Sequence, residues 1–279
     1  MPFTVKIFQS FLIGICIGSF LNVVIYRLPV GISIIKPRSF CPKCKNKISW
    51  SSNIPLLSFL FQKGKCSFCN IKISFKYPLI ELLTGLLFIV FSFSSSFFYS
   101  FVPFVPFENL FSWTFLSLLI VICFIDIEHF WIPQSLINLG YITGFINLLF
   151  VDFFKNELLN ESIILKGLFG SIGAYIIFEF LRFASKLYFK KDALGKGDSK
   201  LVSMMGLWLG PVGVALGIGI AYVIAAVFLF FGFLAKKIKK GSIIPFAPFL
   251  SCGGLLVWLF GNYSLINFIY SLQLLNSSY

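Results

Sequence analysis

Apolar residues in this chain gather into runs of about 20, each long enough for a helix to cross a bilayer core roughly 30 Å thick. The runs predict eight membrane spans, at 7–27, 78–98, 109–127, 132–151, 161–183, 198–212, 213–235 and 246–268. The sixth and seventh merge through Gly206, Gly210, Pro211, Gly213, Gly217 and Gly219, so the boundary between them is the least marked. The expected fold class is an all-α polytopic membrane protein of about eight transmembrane helices, with a polar loop between the first two. The first run is expected to stay in the protein and not to act as a cleavable signal peptide. It is too long for one, and no small-residue cleavage site follows it.

Composition agrees with that reading. Of 279 residues, 58% are apolar and 12% charged, about half the charged fraction of an ordinary soluble domain. The net charge of +13 would point to nucleic acid in a soluble protein. Here its distribution gives a simpler cause. Ten Lys or Arg lie between Arg27 and Tyr77, six lie in 182–200, and Lys236, Lys237, Lys239 and Lys240 add four, which makes 20 of 23. Eight spans put all three segments on one side, and the excess of positive charge makes that side the cytoplasm. Membrane lipids are thus expected partners and nucleic acid is not.

The first basic segment carries Cys41-Pro-Lys-Cys44 and Cys66-Ser-Phe-Cys69. Two CxxC pairs at this separation are the spacing of a tetrahedral Cys₄ zinc site. Thiols on the cytosolic side stay reduced, which favours metal over disulfide. Four thiolates leave no open position for water, so the zinc is expected to be structural. Cys16, Cys123 and Cys252 stand alone in apolar runs and behave as small hydrophobes.

Only ten residues are acidic, and carboxylates in apolar segments are costly enough to require a role or a partner. Asp126 ends the third run in VICFIDIEHFWIP, and Asp198 opens the sixth in LGKGDSKL. The chain crosses twice between them, so both are expected at the same membrane edge. Two carboxyl groups in a partly dehydrated site hold one proton between them, because like charges so close cannot both form. Such a pair activates water as base and protonates a leaving amine as acid, which is aspartyl-protease chemistry. Gly195 and Gly197 allow a turn, or close approach of a substrate strand, just before the carboxylate. Glu128, two residues past Asp126, points about 160° away on a helix and reads as a supporting or interfacial carboxylate. Glu81 and Glu179 have Arg27 and Arg182 as available partners. His129 reads as interfacial.

Taken in order, GSFLNVVIYRLP (18–29), CPKC, NIPLLSFL (53–60), GKCSFC (64–69), KYPLIELLTG (76–85), the DIE of 126–128, IP at 132–133, GKGDSKL (195–201) and IPFAPFL (244–250) resemble the type IV prepilin peptidase family. The resemblance implies an inner-membrane enzyme that cuts type IV prepilins or secretion pseudopilins after a short basic leader, between glycine and a residue that is usually phenylalanine. Its active site would face the cytoplasm. The family's catalytic pair maps onto Asp126 and Asp198. Many members also methylate the new N-terminus with S-adenosylmethionine, an activity associated with the part that holds the cysteine loop. A division into 1–105, the methyltransferase-associated region, and 106–279, the peptidase core, follows from that. Gln134 and Ala247 depart from the usual pattern, which has Asp or Asn and glycine there. No soluble-type G-x-G-x-x-G fingerprint marks a methyl-donor site. Three other readings stand beside this one: a peptidase without methyltransferase activity, a non-enzymatic membrane scaffold or transporter with a zinc loop, and a presenilin-like protease cutting within the membrane.

Overall fold

A computed structural model describes residues 3–93, 108–154, 162–189, 195–239 and 242–277. The chain forms two compact units, Met1–Phe93 and Ser94–Tyr279. The boundary expected at 105 lies outside the described residues. Both units are helical, and extended pairing among the described residues is confined to two isolated bridges, Phe40 with Lys47 and Lys65 with Lys72.

In the first unit, α1 (Phe3–Arg27) and α3 (Lys76–Phe93) run antiparallel. Small residues set their separation, as expected where lipid offers helices no hydrophobic drive to associate. A Cβ on Gly14 would lie 2.7 Å from Gly85 Cα, and one on Gly18 would lie 2.8 Å from Glu81 Cα. Buried hydroxyls of Ser10 and Ser92 meet at 2.9 Å, and the Asn22 side-chain amide donates to the Tyr77 carbonyl at 3.0 Å. Between the helices lies the cysteine loop, with the short α2 (Leu57–Phe61) inside it.

The second unit comprises α4 (Glu108–His129), α5 (Gln134–Phe154), α6 (Ile163–Phe189), α7 (Lys196–Leu234), α8 (Ala247–Phe260) and α9 (Asn262–Ser277). Its core is aromatic: Trp208, fully buried, stacks on Phe115 at 4.8 Å and meets Trp258 edge-on at 5.6 Å. The Trp208 indole N–H donates to the Gly140 carbonyl at 2.9 Å, which gives its one polar atom a partner in an apolar interior.

Helix α7 doubles back on itself. Its first arm runs with α8, because Met205 sits at Gly254 and Trp208 at Trp258. Its second arm runs against α8, with Gly213 at Asn262, Gly217 at Gly253 and Tyr222 at Phe246. The reversal falls at Gly210, φ 70° and ψ 178°, a conformation open essentially to glycine alone. Pro211, which cannot extend the first arm's hydrogen-bond ladder, follows it.

By length and composition six described helices can each cross a membrane, namely α1 and α3 to α7. Helix α8 and the start of α9, bent by 97°, make a seventh if counted as one broken span. Eight is reached only by counting both arms of α7. The first arm, residues 196–209, is about 21 Å long at 1.5 Å per residue, short of the hydrocarbon core. The straight span expected at 246–268 does not form, because Gly261 turns the chain at φ 76°.

Candidate active site and metal centre

The aspartates come together through helix ends. Helix α4 stops at His129 because Phe130 takes a left-handed conformation, φ 51°, and returns its N–H to the Asp126 carbonyl at 2.9 Å. Pro133 then opens α5, its carbonyl accepting from Leu136 and Ile137. Asp126 is thus the last carboxylate of α4 to face inward, and it is 6% exposed. Asp198 lies in the first turn of α7 and is 8% exposed. The two carboxylates lie within electrostatic reach of each other.

Each carboxylate accepts one backbone N–H: Ala247 donates to Asp126 Oδ2 at 3.1 Å, and Gly195 donates to Asp198 Oδ2 at 3.2 Å. Neither has an ion-pair partner among the described residues. Lys200, the nearby cation in sequence, bonds instead to the Gln134 carboxamide. The pair is therefore buried without a neutralising cation among the described residues. Isolated snorkelling carboxylates would instead be exposed at the helix ends.

The flanking glycines serve by what they lack. Gly195 has an ordinary extended backbone, φ −69° and ψ 143°, and the expected turn freedom is not used. A Cβ there would approach Asp198 Oδ2 to 3.1 Å, and one on Gly197 would approach Ile132 to 3.1 Å. Gly197 thereby lets the α7 arm settle on the α4–α5 connection that follows Asp126. The close approach is to the protein's own side chains.

Glu128 is exposed at the end of α4, away from the buried face that holds Asp126. His129 is exposed beside it. Glu179 pairs with Arg182 at 2.5 Å, as its position in the sequence allowed. Glu81 does not pair with Arg27. Its carboxylate accepts the Leu56 N–H at 2.8 Å, while the buried Arg27 guanidinium donates to the Ser33 and Arg38 carbonyls. Asp192, which beside Lys190 and Lys191 reads from the sequence as a surface acid, lies outside the described residues.

Two contributors escaped the sequence reading. The Ala247 amide carries no side-chain signal at all. Tyr222, within electrostatic reach of Asp198, was visible as a lone phenol in the apolar run GIGIAYVIAAV. On a straight helix residues 198 and 222 would stand about 36 Å apart, and only the reversal at Gly210 brings them together.

The four cysteines of the first unit form a second centre. Each CxxC closes a matching knuckle: the Lys45 N–H returns to the Cys41 carbonyl and the Asn70 N–H to the Cys66 carbonyl, both at 2.9 Å, with Lys45 and Asn70 left-handed. The four Sγ atoms lie within 4.8 Å of one another, Cys41 and Cys69 at 3.9 Å. A zinc tetrahedron with bonds of about 2.3 Å has sulfur–sulfur edges of about 3.8 Å, so the four thiols fit that ion. Amide donors from Cys69 and Phe68 bring the Cys66 thiol down from 9.0 to about 7. Cys69, despite a lowering bond from the Ile71 amide, is pushed up to about 11 by burial and its neighbouring thiols. A bound metal would hold both as thiolates.

Residues 113–230 match the type IV leader peptidase family, and residues 12–95 match the bacterial peptidase A24 N-terminal domain. Among relatives, the prepilin leader peptidase/N-methyltransferase of Bacillus subtilis (strain 168) is 32% identical over 264 residues, covering 95% of this chain and 98% of the relative. The protein of that name from Aeromonas salmonicida (strain A449) is 31% identical over 277 residues, 90% of each. This chain belongs to the type IV leader peptidase family. A longer relative of the same name from Myxococcus xanthus (strain DK1622) is 38% identical over 202 residues, 71% of this chain and 55% of the relative. No solved structure matches. Both centres fall within the matched segments. Asp126 and Asp198 lie in 113–230, and the four cysteines lie in 12–95.

Proposed function

We propose that the chain is an inner-membrane aspartyl endopeptidase that removes the basic leader of type IV prepilins or pseudopilins at the cytoplasmic membrane edge and then methylates the new N-terminal residue. The supporting observation is the pairing of Asp126 and Asp198, two buried carboxylates within electrostatic reach of each other and with no ion-pair partner among the described residues. In this reading the pair holds one proton. The ionised member takes a proton from water as that water attacks the scissile carbonyl, and the protonated member delivers its proton to the departing amine.

Backbone amides position both acids. The Gly195 and Ala247 N–H groups each fix one oxygen, leaving the others free to face water and substrate. The orientation rests on charge: Lys196 and Lys200 flank Asp198 at the start of α7, and Lys236, Lys237 and Lys239 follow the end of its second arm, the cytoplasmic signature.

Zinc held by Cys41, Cys44, Cys66 and Cys69 would tie down a loop with little apolar content of its own. S-adenosylmethionine, when bound, supplies an electrophilic methyl group. The test is incubation of the purified chain with a prepilin and labelled S-adenosylmethionine. Leader loss with label in the mature pilin is expected. Leader loss without label leaves a peptidase only, and an intact substrate excludes the reading.

A further inference from the structure

The segment NIPLLSFL (53–60), with Phe61 after it, takes no part in the chemistry of either centre. It follows the short turn at Ser51–Asn53 and contains α2. Ser58 and Phe59 of that helix are half-buried, and Phe59 meets Phe75 edge-on at 6.2 Å. Leu57, Leu60 and Phe61 turn the other way and are 49%, 68% and 82% exposed. The helix thus directs its apolar face away from the protein, which marks a contact surface.

We propose that α2 lies in the bilayer interface, with Leu57, Leu60 and Phe61 among the acyl chains and the basic residues around it on anionic lipid headgroups. The leaflet is the one in which α1 ends and α3 begins, cytoplasmic in the orientation proposed above.

Depth is the first observation that carries this. The Leu56 N–H, immediately before α2, donates to the Glu81 carboxylate at 2.8 Å. Glu81 is five residues past Lys76, the start of α3, and so about 7.5 Å further along that span. At the same level of α3, Leu79, Leu82 and Leu83 are exposed, as lipid-facing side chains of a span are. The contact therefore draws the loop down beside the membrane-facing part of α3. Leu56 is held at φ 59° in making it, a conformation that a non-glycine residue keeps only where its surroundings require it.

Charge is the second. Residues 28–75 hold eight Lys or Arg, all exposed, and no Asp or Glu. Lys63 and Lys65 directly follow α2, where long cationic side chains can reach from an apolar surface to headgroups. Anionic lipid attracts such a segment, whereas a basic prepilin leader is repelled by it.

The third is Trp50, 77% exposed. Its turn is tied to the end of α2, because the Gln62 amide donates to the Ser52 carbonyl at 3.4 Å. Tryptophan at the border between apolar and charged surface is the signature of a membrane–water interface.

The experiment uses the zinc-loaded full chain in lipid nanodiscs of phosphatidylcholine with about 30% phosphatidylglycerol. Phe61→Trp adds one indole, and subtraction of the unmutated chain isolates its emission. Acyl-chain-brominated phosphatidylcholine should quench that added emission at least about twofold, and aqueous iodide should quench it less. Quenching by iodide alone places α2 in water and overturns the proposal. Insensitivity to both quenchers places it against protein and overturns the proposal equally. Zinc content matched to the unmutated chain verifies an intact loop. The unmutated chain supplies a second measurement, acetylation of Lys63 and Lys65 by an uncharged N-hydroxysuccinimide ester, read by mass spectrometry. Anionic discs should slow this at least about threefold relative to discs of phosphatidylcholine alone, and high salt should restore the rate. Equal rates in the two kinds of disc would remove the anionic partner, and the proposal with it.

Discussion

The backbone amide of Ala247 donates to the Asp126 carboxylate at 3.1 Å across 121 residues of chain. This contact joins the start of α8 to the end of α4. It also explains why a small residue stands there, since Ala247 is fully buried and what it contributes is its N–H. Ala247→Gly keeps the amide and the space, and prepilin cleavage should stay within about twofold. Ala247→Leu overfills the site, at a cost of about 1–3 kcal/mol, and should slow cleavage about tenfold or more. Equal rates in the two variants would show that the contact does not position Asp126.

A second consequence concerns Gly197, where a Cβ would press on Ile132 at 3.1 Å. Gly197→Val should push the first arm of α7 away from the α4–α5 connection and displace Asp198 from Asp126. A shift of about 1 Å at reacting groups costs up to a hundredfold in rate. Cleavage should therefore fall between about ten- and a hundredfold, with the thermal transition lowered only slightly. A full-rate variant would show that this packing is dispensable.

The reversal of α7 can be tested through stability. A Cβ on Gly210 would meet nothing within 4 Å, yet the backbone there has φ +70°. The cost of Gly210→Ala is therefore conformational, about 1–3 kcal/mol, with no steric part. The variant should melt earlier than the wild type. Gly173→Ala, also in open space but without a positive φ, should melt as wild type. Identical melting of both variants would remove the strain at Gly210.

Zinc should be present at about one ion per chain. Chelation, or Cys66→Ser, should make residues 28–75 protease-sensitive and reduce methylation more than cleavage. A metal-free preparation with an intact loop and both activities would remove the structural role of the ion.

The helical character of the chain was legible in its apolar runs, and the four-cysteine cluster in its CxxC spacing, because both depend on local composition. Asp126 and Asp198 were legible as costly carboxylates at helix ends. What escaped the sequence depends on tertiary reach. The Ala247 amide is invisible to any side-chain pattern. Tyr222 reaches Asp198 only because the chain reverses at Gly210, and the length of a run does not report such a reversal. Glu81 was assigned Arg27 as an available partner by charge alone. In the structure a backbone N–H from the loop takes that place, and Arg27 turns to carbonyls. The 97° bend at Gly261 likewise came from one dihedral, not from any change in hydropathy.

The central claim is that Asp126 and Asp198 act as one unit, and initial rates of prepilin cleavage test it most directly. Asp126→Asn, Asp198→Asn and the double variant are compared in membranes, with insertion and zinc content matched to wild type. Each single change should abolish cleavage, and the double variant should be no worse than either, because half of a shared-proton pair does no chemistry. Cleavage at a tenth of the wild-type rate or more in either single variant would contradict the claim and remove that aspartate from the mechanism.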